Sequence, residues 1–133
     1  VMLILAAALS FLLAEIVVKP IVARPRPCQL FPEVPLLIDR PDDFSFPSGH
    51  TIVSFAAATV LWMANWRFGL PATILAVLIG FSRIYLFAHF FTDTLAGLVL
   101  GTACGFAAAA LVKLALWLWN RLLGKRGRHY DLS

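Results

Sequence analysis

The sequence predicts an all-α membrane protein, a polytopic transmembrane helical bundle in which four helices of this chain span the bilayer. Of its 133 residues, 61% are hydrophobic and only 14% are charged, and the mean hydropathy is +0.87. A soluble domain of this size cannot bury so much apolar surface. Four apolar stretches fit membrane helices, which need about 20 residues each. We therefore interpret residues 1–133 as a single membrane-embedded domain.

The predicted helices cover residues 2–18, 50–65, 70–88 and 93–119. The first could be mistaken for a secretory signal, but it has neither a basic leading segment nor an evident cleavage site. The last is long enough to tilt or to protrude. Gly97, Gly101 and Gly105 lie on one face of it and predict close helix packing. This packing is expected inside the bundle, and a homodimer contact is the alternative.

The segment between the first two helices has a different character, because it holds seven of the eight prolines. Proline lacks an N–H donor and fixes φ, so we expect irregular backbone here rather than helix. Irregular backbone cannot face lipid and must lie in water or in protein. The loop also carries acidic residues, which indicate that at least one side is solvated: Glu33, Asp39, Asp42 and Asp43.

The distribution of cations predicts the orientation of the chain in a cell membrane. Cations are concentrated in the turn after the second helix and at the C-terminus: Arg67, Arg121, Lys125, Arg126 and Arg128. Those segments should therefore be cytoplasmic. The proline-rich loop and the turn at residues 89–93 should then share the opposite, periplasmic or extracellular side.

Other binding functions find little support in the sequence. The net charge of +4 is modest and the cations form no stripe, so no nucleic-acid partner is expected. Cys28 lies in a polar loop and Cys104 in an apolar run, which indicates neither a disulfide nor a metal site.

The stretch "FSRIYLFAHFFTD", residues 81–93, carries three polar side chains in apolar surroundings. An arginine inside a membrane helix, here Arg83, is a functional hypothesis by default. His89 and Asp93 are four residues apart and would share one face of a helix. They could also form a purely structural pair.

Two further clusters have simple explanations when each is taken alone. Lys19, Arg24 and Arg26 could be interfacial anchors. "PSGH", residues 47–50, could be no more than the start of a helix. Glu15 lies four residues before Lys19 and should form a structural ion pair with it.

Taken together, the clusters match what a phosphate group requires. Lysine and arginine supply positive charge and donors. Ser48 and Gly49 would supply a hydroxyl and backbone N–H groups at a helix N-terminus. Of the two histidines in these clusters, His50 and His89, one could attack phosphorus and the other could protonate the leaving oxygen. Asp93 could keep one nitrogen of His89 protonated and leave the other free to attack.

Three segments then carry a resemblance to a known family. Lys19 precedes Arg26 and Pro27 by six intervening residues, "PSGH" follows at 47–50, and "SRIYLFAHFFTD" places Arg83, His89 and Asp93. This order and spacing resembles the three-part signature of the type 2 phosphatidic acid phosphatase family, which shares its site with vanadium haloperoxidases. A soluble haloperoxidase is excluded by the membrane composition.

The resemblance implies a role for each matching residue. Lys19, Arg26 and Arg83 would bind the phosphoryl oxygens with Ser48 and the backbone of Gly49. His89 would be the nucleophile and form a phosphohistidine, Asp93 would orient it, and His50 would be the acid for the leaving group. Arg24 lies outside the family spacing and is a second-rank candidate. Neither a cofactor nor a metal is implied.

The resemblance also sets expectations for the fold and the substrate. Family members usually have six membrane helices, so either this chain is truncated at its N-terminus or two helices are dispensable. We expect a metal-independent lipid phosphatase with an outward-facing site. The "RPRP" form is similar to bacterial undecaprenyl-pyrophosphate phosphatases. Phosphatidate or phosphatidylglycerophosphate is the alternative substrate, and a non-catalytic scaffold or lipid-binding remnant is the alternative of another class.

One geometric expectation concerns the third and fourth helices. Arg83 and His89 are six residues apart, which on one continuous helix would separate them by about 120° from a shared face. They can meet only if the chain bends after the third helix. We therefore predict a bend there, with His89 and Asp93 starting the fourth helix.

Overall fold

A computed structural model describes residues 1–123, and these residues form helices and loops without any strand. This confirms the all-α prediction. The helices are α1 (Met2–Phe11), a π-helical segment (Leu12–Val18), α2 (Lys19–Val22), α3 (Pro27–Leu30), α4 (Gly49–Ala64), α5 (Trp66–Tyr85) and α6 (Phe91–Leu123). The predicted cytoplasmic cations Lys125, Arg126 and Arg128 lie outside the described residues.

The first helical region is longer than predicted and changes its winding along the way. α1 runs through the π-helical segment into α2, so helix continues to Val22 rather than ending at residue 18. The helix ends at Ala23, whose φ of 47° is left-handed and uncommon for a residue other than glycine. The chain leaves the helix at this turn and enters the proline-rich loop.

The proline-rich loop contains a short helix, which corrects the prediction of irregular backbone throughout. α3 begins with Pro27 at its first position, where the missing N–H would have had no helical partner. The side chain of Gln29 accepts a hydrogen bond from the backbone N–H of Arg26 at 3.0 Å and so caps the helix. The prolines therefore interrupt helix elsewhere in the loop but initiate it here.

Three segments are long and apolar enough to cross a membrane: Met2–Leu30, Trp66–Tyr85 and Phe91–Leu122. The second predicted span, residues 50–65, corresponds to α4, which has 16 residues and a length of about 24 Å, less than the ~30 Å hydrocarbon core. α4 is nonetheless the centre of the bundle, since it packs against α1, α5 and α6. The elements that carry the polar residues are thus assembled around α4.

The glycine face of α6 is packed inside the bundle. A Cβ added at Gly101 would lie 2.3 Å from the backbone oxygen of Ile52, and one at Gly97 would lie 2.8 Å from Cβ of Thr51. α4 therefore occupies the face that the sequence also offered to a homodimer. Close packing within the bundle is confirmed, and this face is not free for a second copy.

The predicted bend after the third helix is confirmed. α5 ends at Tyr85, the φ of Phe87 is 57°, and α6 begins at Phe91. The backbone oxygen of Arg83 accepts hydrogen bonds from the N–H groups of Ala88 and His89 at 3.1 and 3.2 Å, which holds the turn closed. His89 lies in this turn, ahead of α6 rather than on it, and only Asp93 belongs to the first turn of α6.

Candidate active site

A cavity of about 630 Å³ lies where the first helical region, the proline-rich loop, α4 and α5 meet. One part of its wall is polar and contains most of the predicted site residues: Lys19, Arg26, Gly49, His50, Arg83 and His89. Another part is apolar and is formed by Phe11, Ala14, Val53 and Ile79. Cationic groups, histidines and apolar residues therefore line one continuous space.

The hydrogen bonds of His89 define which of its nitrogens carries the proton. Nδ1 lies 2.8 Å from the backbone oxygen of Ser45, which can only accept, so Nδ1 must carry the hydrogen. Nε2 lies 3.0 Å from Nη1 of Arg26, which can only donate, so Nε2 must present its lone pair. This tautomer turns a basic nitrogen toward an arginine that is itself part of the cavity wall.

Asp93 lies behind His89 and is completely buried. Its Oδ2 is 3.6 Å from Nδ1 of His89, longer than a hydrogen bond, so the direct partner of that nitrogen is the carbonyl of Ser45. The carboxylate accepts hydrogen bonds from the Ser45 hydroxyl, the Phe90 N–H at 2.8 Å and Arg24 at 2.8 Å. Asp93 is therefore beside the ring as predicted, but its link to the ring passes through Ser45.

Arg26 is 5% exposed and joins three parts of the site. Its Nη1 donates to the Ala88 carbonyl at 2.9 Å and contacts Nε2 of His89, while its Nη2 donates to Oδ1 of Asp43 at 2.7 Å. The guanidinium is thus held flat against the turn that carries His89. An anion bound at Nε2 would lie within reach of the same guanidinium.

Lys19 is also nearly buried, and two carboxylates neutralise it. Its Nζ lies 2.8 Å from Oε1 of Glu15, as predicted, and 2.5 Å from Oδ2 of Asp43. Glu15 reaches the start of α4 as well, since a Cβ on Gly49 would lie 3.0 Å from its Oε1. Carboxylate groups therefore occupy the cationic wall of the cavity. The Asp43 contact was missed because the sequence indicated only a solvated loop acid.

Asp43 is kept ionised by these contacts. Partial burial tends to raise the pKa of its carboxyl, but the hydrogen bond from Lys19 and the charges of Arg26 and Lys19 outweigh burial and lower that pKa. The side chain remains 46% exposed. At neutral pH the cavity thus holds the Asp43 carboxylate on its two most buried cations, Lys19 and Arg26.

Two predicted phosphate ligands occupy different settings. Arg83 lines the cavity and is half-buried, and within residues 1–123 no carboxylate forms an ion pair with it. Ser48 is fully buried behind the cavity wall. Its hydroxyl accepts a hydrogen bond from Thr51 at 2.9 Å, and its N–H donates to the Asp93 carbonyl at 3.2 Å. Ser48 therefore ties α4 to α6, while Gly49 and His50 face the cavity.

The sequence of this chain matches the family model described as the PAP2 superfamily over residues 1–117. An undecaprenyl-diphosphatase from Sulfolobus acidocaldarius is 37% identical over 112 residues, which cover 77% of this chain and 52% of that protein. The chain spans about half the length of the curated relatives that it matches first, 52% and 48%.

Two solved structures resemble the fold. Aquifex aeolicus LpxE superposes with a TM-score of 0.72 and 36% identity, covering 82% of this chain and 66% of its own. A transmembrane PAP2 type phosphatidylglycerolphosphate phosphatase from Bacillus subtilis gives a TM-score of 0.69 and 28% identity, covering 84% and 58%. The Bacillus subtilis protein is a transmembrane protein of PAP2 type, like the family model that this chain matches, and this chain has three helices that are long and apolar enough to span a membrane. These findings confirm the expected resemblance and the multi-pass membrane character.

Proposed function

We propose that this chain, which belongs to the PAP2 superfamily, is an integral membrane lipid phosphatase. The proposal rests on one observation: His89, Arg26 and Lys19 line the same cavity as an apolar wall of α1 and α4. A lipid phosphate needs both surfaces at once, since its phosphate requires cations and its chain requires apolar contacts. A membrane scaffold would need no basic imidazole nitrogen facing a buried arginine.

The first chemical step in this proposal forms a phosphohistidine. The lone pair on Nε2 of His89 attacks phosphorus, and the bond from phosphorus to the lipid-side oxygen breaks as the new N–P bond forms. Lys19, Arg26 and Arg83 stabilise the negative charge on the phosphoryl oxygens. His50, on the same cavity wall, donates a proton to the departing oxygen.

The second step returns the enzyme to its starting state. His50, now neutral, accepts a proton from water as the water oxygen attacks phosphorus, and the N–P bond breaks. Inorganic phosphate leaves and His89 recovers the lone pair on Nε2. The Nδ1 proton stays on the ring throughout, where the carbonyl of Ser45 holds it at 2.8 Å.

For the substrate, we propose a polyprenyl diphosphate such as undecaprenyl pyrophosphate. The likeness to an undecaprenyl-diphosphatase supports this choice. One alternative is phosphatidylglycerophosphate, which the likeness to the Bacillus subtilis phosphatase supports, and phosphatidate is the other. We also propose that no metal takes part, because Lys19, Arg26 and Arg83 can supply the positive charge that phosphoryl transfer requires.

The test is phosphate release by the purified chain in detergent from undecaprenyl pyrophosphate, phosphatidate and phosphatidylglycerophosphate. We expect turnover of at least one, fastest with the pyrophosphate, unchanged by EDTA and inhibited by vanadate, which mimics pentacoordinate phosphorus. His89→Ala is the matched inactive control. Absence of release from every lipid would contradict the proposed activity. Loss of release on chelation, restored by magnesium, would contradict the metal-free site alone.

Asp43 occupies Lys19 and Arg26, so it should compete with phosphate for these two cations, which gives a second prediction. Asp43→Asn removes the carboxylate that holds Lys19 and Arg26, so inorganic phosphate should inhibit the variant about fivefold more strongly, a factor typical of a half-exposed ion pair. Because the pKa of Asp43 lies below its ordinary value, the carboxylate is present above about pH 4 and is lost only in stronger acid. The ratio of the two inhibition constants should therefore stay constant from about pH 5 to about pH 8.

Inhibition constants for phosphate measured across that pH range check this prediction, with Asp42→Asn as the control. Asp42 is the exposed neighbour and forms no ion pair within residues 1–123. Weaker phosphate inhibition in Asp43→Asn than in the wild type would mean that Asp43 supports the cations in their binding geometry rather than competing for them.

We further propose that the site faces the periplasmic or extracellular side, from the cation bias at Arg67 and the C-terminus. In a background lacking Cys28 and Cys104, an impermeant thiol reagent should label Asp42→Cys in intact cells. It should label Arg67→Cys only after lysis. Asp42 precedes α4 and Arg67 follows it, so they lie toward opposite ends of this helix. Both residues are exposed, so each cysteine should be accessible to the reagent on its own side of the membrane. The reverse pattern of labelling would place the site in the cytoplasm.

A further inference from the structure

Arg24 lies next to the predicted phosphate ligands in sequence but points away from the cavity. It follows the left-handed turn at Ala23, and its side chain does not line the cavity wall. Its Nη1 donates to Oγ1 of Thr92 at 2.7 Å and to Oδ1 of Asp93 at 2.8 Å. Its guanidinium carbon lies 4.0 Å from the centre of the Phe90 ring. All three contacts belong to the segment that begins α6 behind His89.

Asp93 needs such a partner because it is a carboxylate with no exposed surface. A buried charge is costly unless it is both hydrogen-bonded and paired with an opposite charge. The Ser45 hydroxyl and the Phe90 N–H satisfy lone pairs but bring no charge. Within residues 1–123, Arg24 is the permanently charged group that contacts this carboxylate.

Ser45 connects the pair to the imidazole. Its N–H donates to the Arg24 carbonyl at 2.8 Å, its hydroxyl donates to Asp93, and its carbonyl accepts from Nδ1 of His89 at 2.8 Å. One fully buried residue therefore touches Arg24, Asp93 and His89 at once. A shift of the Asp93 carboxylate or of the Arg24 backbone would move the carbonyl that holds the ring.

We propose that Arg24 is a positioning residue for His89. It holds the buried Asp93 carboxylate ionised and in place, and Ser45 transmits that placement to the ring, so that Nδ1 keeps its proton and Nε2 its lone pair. The expected change in kcat rests on the proposed phosphatase function, whereas the expected change in the His89 tautomer does not. It differs from the expectation that Arg24 is a second-rank phosphate ligand.

The kinetic test compares Arg24→Gln and Arg24→Lys with the wild type. Arg24→Gln should lower kcat about 10–100-fold, as when other groups that orient a functional histidine are removed. KM and the inhibition constant for vanadate should change less than about twofold, because the cavity cations are untouched. Arg24→Lys keeps the charge beside Asp93 and should recover a large part of kcat. Arg40→Gln is the matched control, since within residues 1–123 the side chain of Arg40 donates only to the loop carbonyls of Cys28 and Pro32.

Arg24→Gln could fold poorly because it leaves the buried Asp93 carboxylate without a cation, so the same substitution is also tested in a second variant background. In an Asp93→Asn background no buried charge remains to be compensated, so adding Arg24→Gln should fold as well as the single variant. There it should lower kcat by less than twofold, because Arg24 acts through Asp93. A further large loss in that background would overturn the proposal. So would a rise in KM or in the vanadate constant at unchanged kcat, which would make Arg24 a phosphate ligand.

A spectroscopic readout separates this inference from the proposed function. The chain has three histidines, so ¹⁵N-histidine NMR of the protein in detergent can resolve the His89 ring. The wild type should show the Nδ1–H tautomer and Arg24→Gln a mixture, whether or not any lipid is hydrolysed. An unchanged His89 tautomer in Arg24→Gln would refute the positioning role. A wild type that shows the tautomer but releases no phosphate would refute only the proposed activity.

Discussion

Replacing His89 with alanine should abolish turnover of every lipid phosphate, whereas replacing His50 should have an effect that depends on the leaving group. Nε2 of His89 presents its lone pair beside Arg26, the guanidinium that would hold the phosphate, so this nitrogen is placed to attack phosphorus. His50 lies on the same wall and is exposed to the cavity, where it can reach the departing oxygen. The two histidines should therefore differ in what their loss does to different substrates.

The difference follows from the acidity of the leaving group. A lipid monophosphate expels an alkoxide, whose conjugate acid is nearly as weak an acid as water. That group needs a proton from His50, and losing a general acid typically costs about 10²–10⁴-fold. A lipid pyrophosphate expels a phosphate monoester whose second pKa is about 6, and it can leave largely unassisted.

His50→Ala should accordingly lower the rate of phosphoenzyme formation from phosphatidate by about 10²–10⁴-fold. The rate of the same step with undecaprenyl pyrophosphate should fall far less. Single-turnover kinetics with both substrates isolate this step from the later attack of water, in which His50 also takes part. His89→Ala is the reference for complete loss. Equal losses on both substrates for His50→Ala would show that His50 is not the acid for the leaving group.

The sequence predicted the helices of the bundle well because each is an apolar run with clear polar ends, although α4 is shorter than the other three. The errors in the predicted helix ends have physical causes. The first helical region continues past residue 18 because Lys19 forms ion pairs with Glu15 and Asp43, so its charge does not require the helix to stop. α3 was missed because prolines usually interrupt helix, whereas Pro27 occupies the one position where it favours helix.

The bend between α5 and α6 could be predicted because Arg83 and His89 cannot meet on a straight helix. The tertiary contacts of the loop could not. Asp43 and Ser45 reach Lys19 and His89 across 24 and 44 residues of sequence, through irregular backbone that has no periodicity to interpret. The spacing of Asp93 and His89 predicted that the carboxylate would lie near the ring, but nothing in the sequence indicated that the carbonyl of Ser45 would be the direct partner of Nδ1.

Replacing Gly101 with alanine should separate the two helices that hold the site together, and we expect a loss of stability of about 3 kcal/mol, at the upper end for overpacking. The added Cβ would lie 2.3 Å from the backbone oxygen of Ile52 and 3.0 Å from its carbonyl carbon and Cα. Backbone atoms of α4 cannot rotate aside as a side chain could. The gain in helix propensity from glycine to alanine, about 1 kcal/mol, is too small to offset this clash.

The loss should also reach the chemistry, because α4 carries Gly49 and His50 while α6 carries Asp93. The N–H of Ser48 bonds the Asp93 carbonyl at 3.2 Å across the same interface. Apparent melting temperature in detergent and phosphate release from the surviving folded fraction measure the two effects separately. Gly80→Ala is the matched control, since a Cβ there meets the Thr51 side chain at an ordinary 3.6 Å and should be tolerated. Equal melting temperatures for Gly101→Ala and Gly80→Ala would show that α4 and α6 are not packed as closely as this structure has them.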